Sequence, residues 1–316
     1  MIVTSTPTPI GIPRTRSQQP LVEPSRRNAQ EREYRLLEEL GRGAMGVVWK
    51  GQHIPTDDIC AIKLYIPENL VEMQLRKRIG GVNAKIQTIE KFSREFDSVS
   101  KIQHPNVVKV TEFGITYEGT SFFSMELIQG RNLLTILEQK VKQRIYFTFE
   151  EILKICLGIC NALEAIQEAE LLHHDLKPAN IMIGENNSVT IIDFGLARGI
   201  AENFINERGC ISGTALYISP EKARGDALNY ASDIYSLGVI LYQIVTGRKN
   251  PFGTHEVTEA FLVDTANVPP VPPSQVRKIP EKLEKVILRA LTKEPDKRQQ
   301  TGSELKYELT EALKRA

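Results

Sequence analysis

Cysteine is scarce in this chain, with four among 316 residues at positions 60, 156, 160 and 210. That excludes a disulfide framework and points to a reducing, intracellular compartment. No run of about 18 apolar residues occurs, so no segment reads as a membrane-spanning helix. Neither sign of charge is in excess: 40 Lys+Arg stand against 39 Asp+Glu, for a formal net charge of +1. Such a balance offers no electrostatic footprint for nucleic acid and no acidic tail. The start, Met1-Ile2-Val3-Thr4-Ser5, lacks the basic region and apolar stretch of a secretory signal. No His/Cys cluster has zinc spacing. These absences together read as a cytoplasmic protein that does not bind nucleic acid.

What is present is ordinary for a globular chain, at 41% hydrophobic and 25% charged residues. The length suits roughly two domains of about 100–200 residues. Residues 1–32 stand apart, with Pro7, Pro9, Pro13, Pro20 and Pro24, many Ser and Thr, and no apolar periodicity. They bury too little apolar surface to offset their ordering entropy, so the expectation is a disordered tail. Strand-like runs follow: Tyr34–Leu40, Gly46–Gln52, Ile59–Ile66, then 106–115 and 121–128. Between them, 89–102 carries Phe92, Phe96, Val99 and Ile102 at helical spacing.

Beyond Arg131 helices dominate. Thr148 to Glu151 is a capping box opening a long amphipathic helix. Cys156 and Cys160 on that helix read as core packing rather than a redox or metal pair. Short β runs at 179–183 and 188–193 flank Glu185-Asn186-Asn187. A helix apolar almost all round starts with Ser232 in the cap position and stops at Gly247. Two more helices close the chain, the last with a Thr301…Glu304 capping box. The expected fold class is α+β, with residues 33–128 forming a small β-rich lobe and 129–316 a larger, mostly helical one.

Three motifs carry chemistry. In Gly41-Arg42-Gly43-Ala44-Met45-Gly46, the G-x-G-x-x-G spacing also fits a dinucleotide-binding turn. A dinucleotide turn opens a helix, however, and here Val47-Val48-Trp49-Lys50 follows, so the glycines sit at a hairpin tip. There they allow the backbone close to a polyphosphate. Lys63 lies in an apolar strand, a costly place for an unpaired ammonium. Glu95, on the helix carrying Phe92, Phe96 and Val99, is a candidate partner. The densest segment is His173-His174-Asp175-Leu176-Lys177-Pro178-Ala179-Asn180, followed 13 residues after Asn180 by Asp193-Phe194-Gly195. Phosphoryl transfer needs a base near the nucleophile, cations for phosphate oxygens and hard oxygen ligands for a divalent metal.

In these motifs, their order and their spacing, residues 34–313 resemble a eukaryotic-type (Hanks-type) Ser/Thr protein kinase of bacterial flavour. The resemblance implies a two-lobed kinase fold, with one main helix in the β-rich lobe. It implies ATP and Mg²⁺ as cofactors, with Mn²⁺ as the alternative ion, and protein Ser/Thr substrates including the chain itself. Carried over residue by residue, Gly41, Gly43 and Gly46 cover the ATP phosphates. Val48 and Ala61 roof the adenine and Met182 floors it. Met125 is the gatekeeper, and Glu126 to Ile128 the adenine-binding hinge. Lys63, with Glu95, holds the α/β-phosphates. Asp175 accepts the substrate proton, Lys177 sits on the γ-phosphate, Thr214 bonds Asp175 and Lys177, and Asn180 and Asp193 hold the metal. Glu221 pairs with Arg298, and Asp233 braces the catalytic-loop backbone.

Two departures stand out. His174 occupies the place of an Arg that receives an activation-segment phosphate through a bidentate fork. An imidazole cannot form that fork. The expectation is therefore a non-RD kinase whose activity does not need activation-segment phosphorylation. The spacing from Lys63 to Glu95 is also long, which marks 69–85 as an insertion. The rival readings are a pseudokinase scaffold that binds nucleotide or a partner, and a small-molecule phosphotransferase.

Overall fold

A computed structural model describes residues 8–9, 34–43, 46–65, 90, 93–94, 96–116, 120–193, 213–248, 250–252 and 259–314. They fall into two compact units, the first from Met1–Lys101 with Lys109–Leu127 and the second from Ile102–Val108 with Ile128–Ala316. The first is built on antiparallel sheet and the second mostly on helices, as the α+β expectation has it.

Among the described residues the first unit holds six strands: β1 (Thr8–Pro9), β2 (Tyr34–Gly43), β3 (Gly46–His53), β4 (Asp58–Tyr65), β5 (Val110–Ile115) and β6 (Ser121–Glu126). Their order is β1-β2-β3-β4-β6-β5, every pairing antiparallel. In β2, Tyr34 and Leu36 point into the core and alternate with more exposed neighbours, the period of a strand with one buried face. β4 is central, and Ala61 to Leu64 are buried on both faces. Tyr34, Leu36, Ile62, Leu64 and Phe122 form the core, flanked by Trp49 and Cys60. Gly51 is required there, because a Cβ would run into the Ile62 side chain. His53 is only 8% exposed: its ring lies 4.9 Å from that of Tyr34 and Nδ1 meets Thr56 Oγ1 at 2.7 Å.

The strand-like run 106–115 is divided between the units. Val107 bridges Ile191, the Val108 amide donates to Ile191 O at 2.8 Å, and Asn106 Nδ2 donates to Val189 O at 2.6 Å. Only from Val110 does the chain join the large sheet.

The second unit contains a three-stranded sheet of β7 (Gly130–Asn132), β8 (Ile181–Gly184) and β9 (Val189–Ile191), in the order β7-β8-β9. Around it lie α1 (Leu133–Gln143), α2 (Phe149–Glu168), α3 (Pro220–Arg224), α4 (Tyr230–Thr246), α5 (Glu259–Asn267), α6 (Glu281–Ala290) and α7 (Gly302–Leu313). The Thr148/Glu151 capping box opens α2 as expected, and Cys156 and Cys160 are fully buried with their thiols pushed up by burial. In α4 every residue from Ala231 to Thr246 is buried, and Gly247 ends it at φ 70°. The cap of α4 is not Ser232 but Asn229. Asn229 Oδ1 accepts the Ala231 amide at 3.0 Å, and Ser232 Oγ accepts the Asn229 amide from the N3 position. At α7, Thr301 caps Glu304 N at 3.0 Å, but Glu304 returns its carboxylate to the Gln300 amide. Among the described residues no helix is long and apolar enough to cross a membrane.

Candidate active site

In the first unit, β2 and β3 form a hairpin whose final pairs are Gly41 with Val48 and Gly43 with Gly46. The G-x-G-x-x-G run therefore spans the ends of two antiparallel strands rather than opening a helix, and Ala44-Met45 lie outside the described residues. Gly46 has φ 151°, a backbone region that only glycine enters readily. At Gly41 and Gly43 an added Cβ would meet nothing within 4 Å. Packing does not require glycine there, whereas close approach of a ligand to the backbone would.

Register then aligns the other residues of this unit. Lys63 pairs with Val48 on one side and Phe123 on the other, and Ala61 pairs with Met125. Lys63 is 5% exposed, with Nζ 5.4 Å from the centroid of the Phe123 ring. Phe123 also meets Phe96, 6.3 Å between ring centroids, on the helical stretch at 93–94 and 96–99. That helix and Lys63 therefore share one aromatic contact. Glu95 itself lies outside the described residues. Ala61 and Met125 are buried, and Val48 is half-buried. The Glu126 amide donates to Lys109 O at 2.9 Å.

The second unit holds the catalytic-loop motif, between α2 and β8. Asp233, on α4, accepts the His173 amide at 2.8 Å and the His174 amide at 3.1 Å. Burial pushes its carboxyl up to about 6 against the pull of those two donors. His173 is fully buried, which drives its imidazole down to about 4, and its Nδ1 accepts the Asp175 amide at 3.3 Å. His174 has φ 66°, a left-handed conformation uncommon outside glycine. Immediately after this turn comes Asp175, 8% exposed, whose Oδ2 accepts Lys177 Nζ at 2.6 Å. Asn180 Nδ2 donates to Asp175 O at 3.0 Å. The loop ends in a 3-10 turn, Pro178–Asn180, that leads into β8, where Met182 is half-buried.

Asn180 O accepts the Ile192 amide at 3.0 Å, which fixes the strand end just before Asp193 against the loop. Ile128 lies at the start of this unit and is half-buried. Thr214 sits on the 3-10 turn Gly213–Tyr217, and nothing is described of its side chain. Phe194, Gly195, Cys210 and Ser212 lie outside the described residues.

A second buried assembly supports the loop from below. Arg298, 0% exposed, forms a two-point pair with Glu221, both N···O distances being 2.8 Å. Arg298 also donates to the carbonyls of Ala231, Thr292 and Lys293. Burial would raise the Glu221 carboxyl, but Arg298 and a 2.6 Å bond from Ser232 Oγ hold it down at about 2. Sequence reasoning anticipated this ion pair and the Asp233 brace. It missed Lys222, whose Nζ donates to His174 O at 2.8 Å. No local pattern signals a lysine 48 residues away reaching a loop carbonyl.

The donor set fits a divalent metal held together with a polyphosphate. Asn180 and Asp193 supply hard oxygens at adjoining chain ends. Among the described residues no cluster of three or more His, Cys, Asp or Glu side chains forms a self-sufficient metal cage. A metal that keeps phosphate oxygens as ligands needs none.

The protein kinase domain family matches residues 34–309. The chain is 30% identical over 273 residues to a probable serine/threonine-protein kinase of Clostridium perfringens, covering 86% of this chain and 37% of that protein. It is 31% identical to serine/threonine-protein kinase pkn3 of Myxococcus xanthus, over 87% of this chain and 49% of the relative. It is 35% identical to serine/threonine-protein kinase PknB of Mycobacterium leprae, over 69% of this chain and 35% of the relative. The chain thus spans between about a third and a half of the length of these curated relatives. Among solved structures, the PknI kinase domain of Mycobacterium tuberculosis shares the fold, with a TM-score of 0.65 at 22% identity over 88% of this chain and 96% of that one. A glycine hairpin above a buried strand lysine, and a braced His-His-Asp loop, are thus seen in a chain matched along most of its length: it belongs to the protein kinase domain family, of the eukaryotic (Hanks) type shared by its bacterial Ser/Thr-kinase relatives.

Proposed function

We propose that this chain transfers the γ-phosphate of ATP to Ser and Thr hydroxyls of proteins, its own chain included. The observation that carries the reading is the Asp175–Lys177 pair at 2.6 Å, on a loop whose backbone is gripped by Asp233. Asp175 orients the substrate hydroxyl and accepts its proton as the oxygen bonds to the γ-phosphorus. The bond from that phosphorus to the bridging oxygen breaks, and ADP leaves. Lys177, tethered to Asp175 in the resting loop, neutralises charge on the transferring phosphoryl group. Lys63, with Glu95, holds the α- and β-phosphates, and the Gly41/Gly43/Gly46 turn brings backbone amides to them. Val48, Ala61 and Met182 contact the adenine ring. Met125 is the gatekeeper, and the Glu126 carbonyl and the Ile128 amide read the adenine edge. Thr214 bonds the Asp175–Lys177 pair.

Asn180 and Asp193 would hold Mg²⁺, with Mn²⁺ as the alternative ion. Held there, such an ion would supply positive charge to neutralise the phosphate oxygens. The Asn180 side-chain amide is held beside Asp175, its Nδ2 donating to Asp175 O at 3.0 Å. The protein acts in the cytoplasm on protein substrates.

The test is incubation of the full chain with Mg·[γ-³²P]ATP and either a mixed protein substrate or a panel of aminoglycosides and cholines. Label on Ser and Thr of protein supports the reading. Label confined to the small molecules would make the chain a small-molecule phosphotransferase. Tight Mg·ATP binding without transfer would make it a pseudokinase scaffold.

A further inference from the structure

Lys222 is unexplained by the residue roles above. It lies on α3 (Pro220–Arg224). Ser219 caps this short helix, and Gly225 ends it at φ 78°. The neighbour of Lys222, Glu221, is 2% exposed and locked to Arg298 and Ser232. From that base the Lys222 side chain reaches the catalytic loop and donates to His174 O at 2.8 Å.

The partner of that bond is a strained point. His174 is left-handed without being glycine, a conformation that persists only where its surroundings over-determine it. Here both flanking peptide planes are held. Asp233 takes the His173 and His174 amides, fixing the chain on the N-terminal side. Lys222 takes the His174 carbonyl, fixing the plane shared with the Asp175 amide. That amide in turn closes a tight turn onto His173 O at 2.9 Å. His174, Asp175, Lys222 and Asp233 line a common cavity of only about 20 Å³, room for a single water at most. Burial and the Lys222 ammonium both push the His174 imidazole down.

We propose that Lys222 is a positioning residue for phosphoryl transfer: its ammonium, anchored through α3, fixes the backbone turn at His174 that presents Asp175. The inference rests on the kinase reading for the reaction it serves, but the backbone restraint itself does not. A loop tied this way is set by the folded second unit. That supplies a physical reason why the fork lost at residue 174 need not be replaced by a phosphate.

Lys222→Met removes the donor at nearly constant length, and Lys222→Arg keeps a cationic donor. With the full chain, Lys222→Met is expected to lower kcat at least tenfold while the KM for ATP stays within twofold. Lys222→Arg should remain within threefold of wild type. Amide hydrogen exchange over residues 171–177 should accelerate at least tenfold in Lys222→Met and not in Lys222→Arg. Three results overturn the proposal: a Lys222→Met kcat within twofold of wild type, an Arg variant as impaired as the Met variant, or unchanged exchange. Joint loss of kcat, ATP affinity and melting temperature would mark Lys222 as merely structural and also overturns it. If wild type labels no protein, the kinase reading falls, and the exchange arm alone then decides whether Lys222 restrains the loop.

Discussion

Arg298→Met removes a guanidinium that makes five hydrogen bonds to four residues, from a site with 0% exposure. It leaves the Glu221 carboxylate with Ser232 as its remaining side-chain partner, and uncovers the carbonyls of Ala231, Thr292 and Lys293. Breaking a buried pair by removing one member costs about 3–5 kcal/mol, mostly from the charge left behind. At roughly 2–4 °C per kcal/mol for a domain of about 150–250 residues, the melting temperature should fall by about 6–20 °C. Glu221→Leu/Arg298→Met removes both charges and should be less destabilised than Arg298→Met alone. Acid dependence supplies an independent check. The Glu221 carboxyl titrates at about 2 in the folded state against an ordinary 4.5. Because the folded value is depressed, the stability it contributes is whole above about pH 4.5 and is lost as the pH falls toward 2. The single variant should lack that share of the acid dependence. Thermal denaturation followed by circular dichroism, at pH 3 to 8, measures all three quantities. A melting loss under 2 °C, or a double variant equal to the sum of its singles, would refute the reasoning.

Asp233 behaves with the opposite sign, since burial raises its carboxyl to about 6. Its folded value exceeds the unfolded one, so its own contribution to stability falls as pH rises from about 4 to 6. Protonation weakens its hold on the His173 and His174 amides, so kcat is expected to decline below pH 6. His173, at about 4, stays neutral across that window. A kcat profile flat from pH 5 to 8 would contradict this. Ser212→Ala should leave the initial rate within a few fold of wild type, because His174 offers no fork for a phosphate; a hundredfold fall in a steady-state assay would contradict it.

The catalytic loop was legible because its chemistry is contiguous: Asp175, Lys177 and Asn180 act on one another within six residues. Caps were legible where one side chain had one use, as Thr148 and Glu151 do. They were misread where it had two. Ser232 looked like the cap of α4, yet its hydroxyl is drawn to Glu221, eleven residues away, and Asn229 takes the cap instead. The run from Asn106 reads as one strand by composition. Its division at Lys109 depends on partners more than 80 residues later, Val189 and Ile191, which local periodicity cannot register. The burial of His53 and the reach of Lys222 are illegible locally for the same reason. Each finds its place only through neighbours supplied by the fold, an aromatic ring on β2 in one case and a loop carbonyl in the other.

The most direct test of the account is phosphosite mapping after incubation with Mg·ATP, comparing wild type with Asp175→Ala, alongside calorimetric titration of Mg·ATP into both. Removing the base should lower transfer by about 10²–10⁴-fold while nucleotide affinity stays within a few fold. Phosphoserine and phosphothreonine should appear in wild type and vanish in the variant. Equal labelling of the two proteins would contradict the assignment of Asp175 as the residue on which the reaction depends.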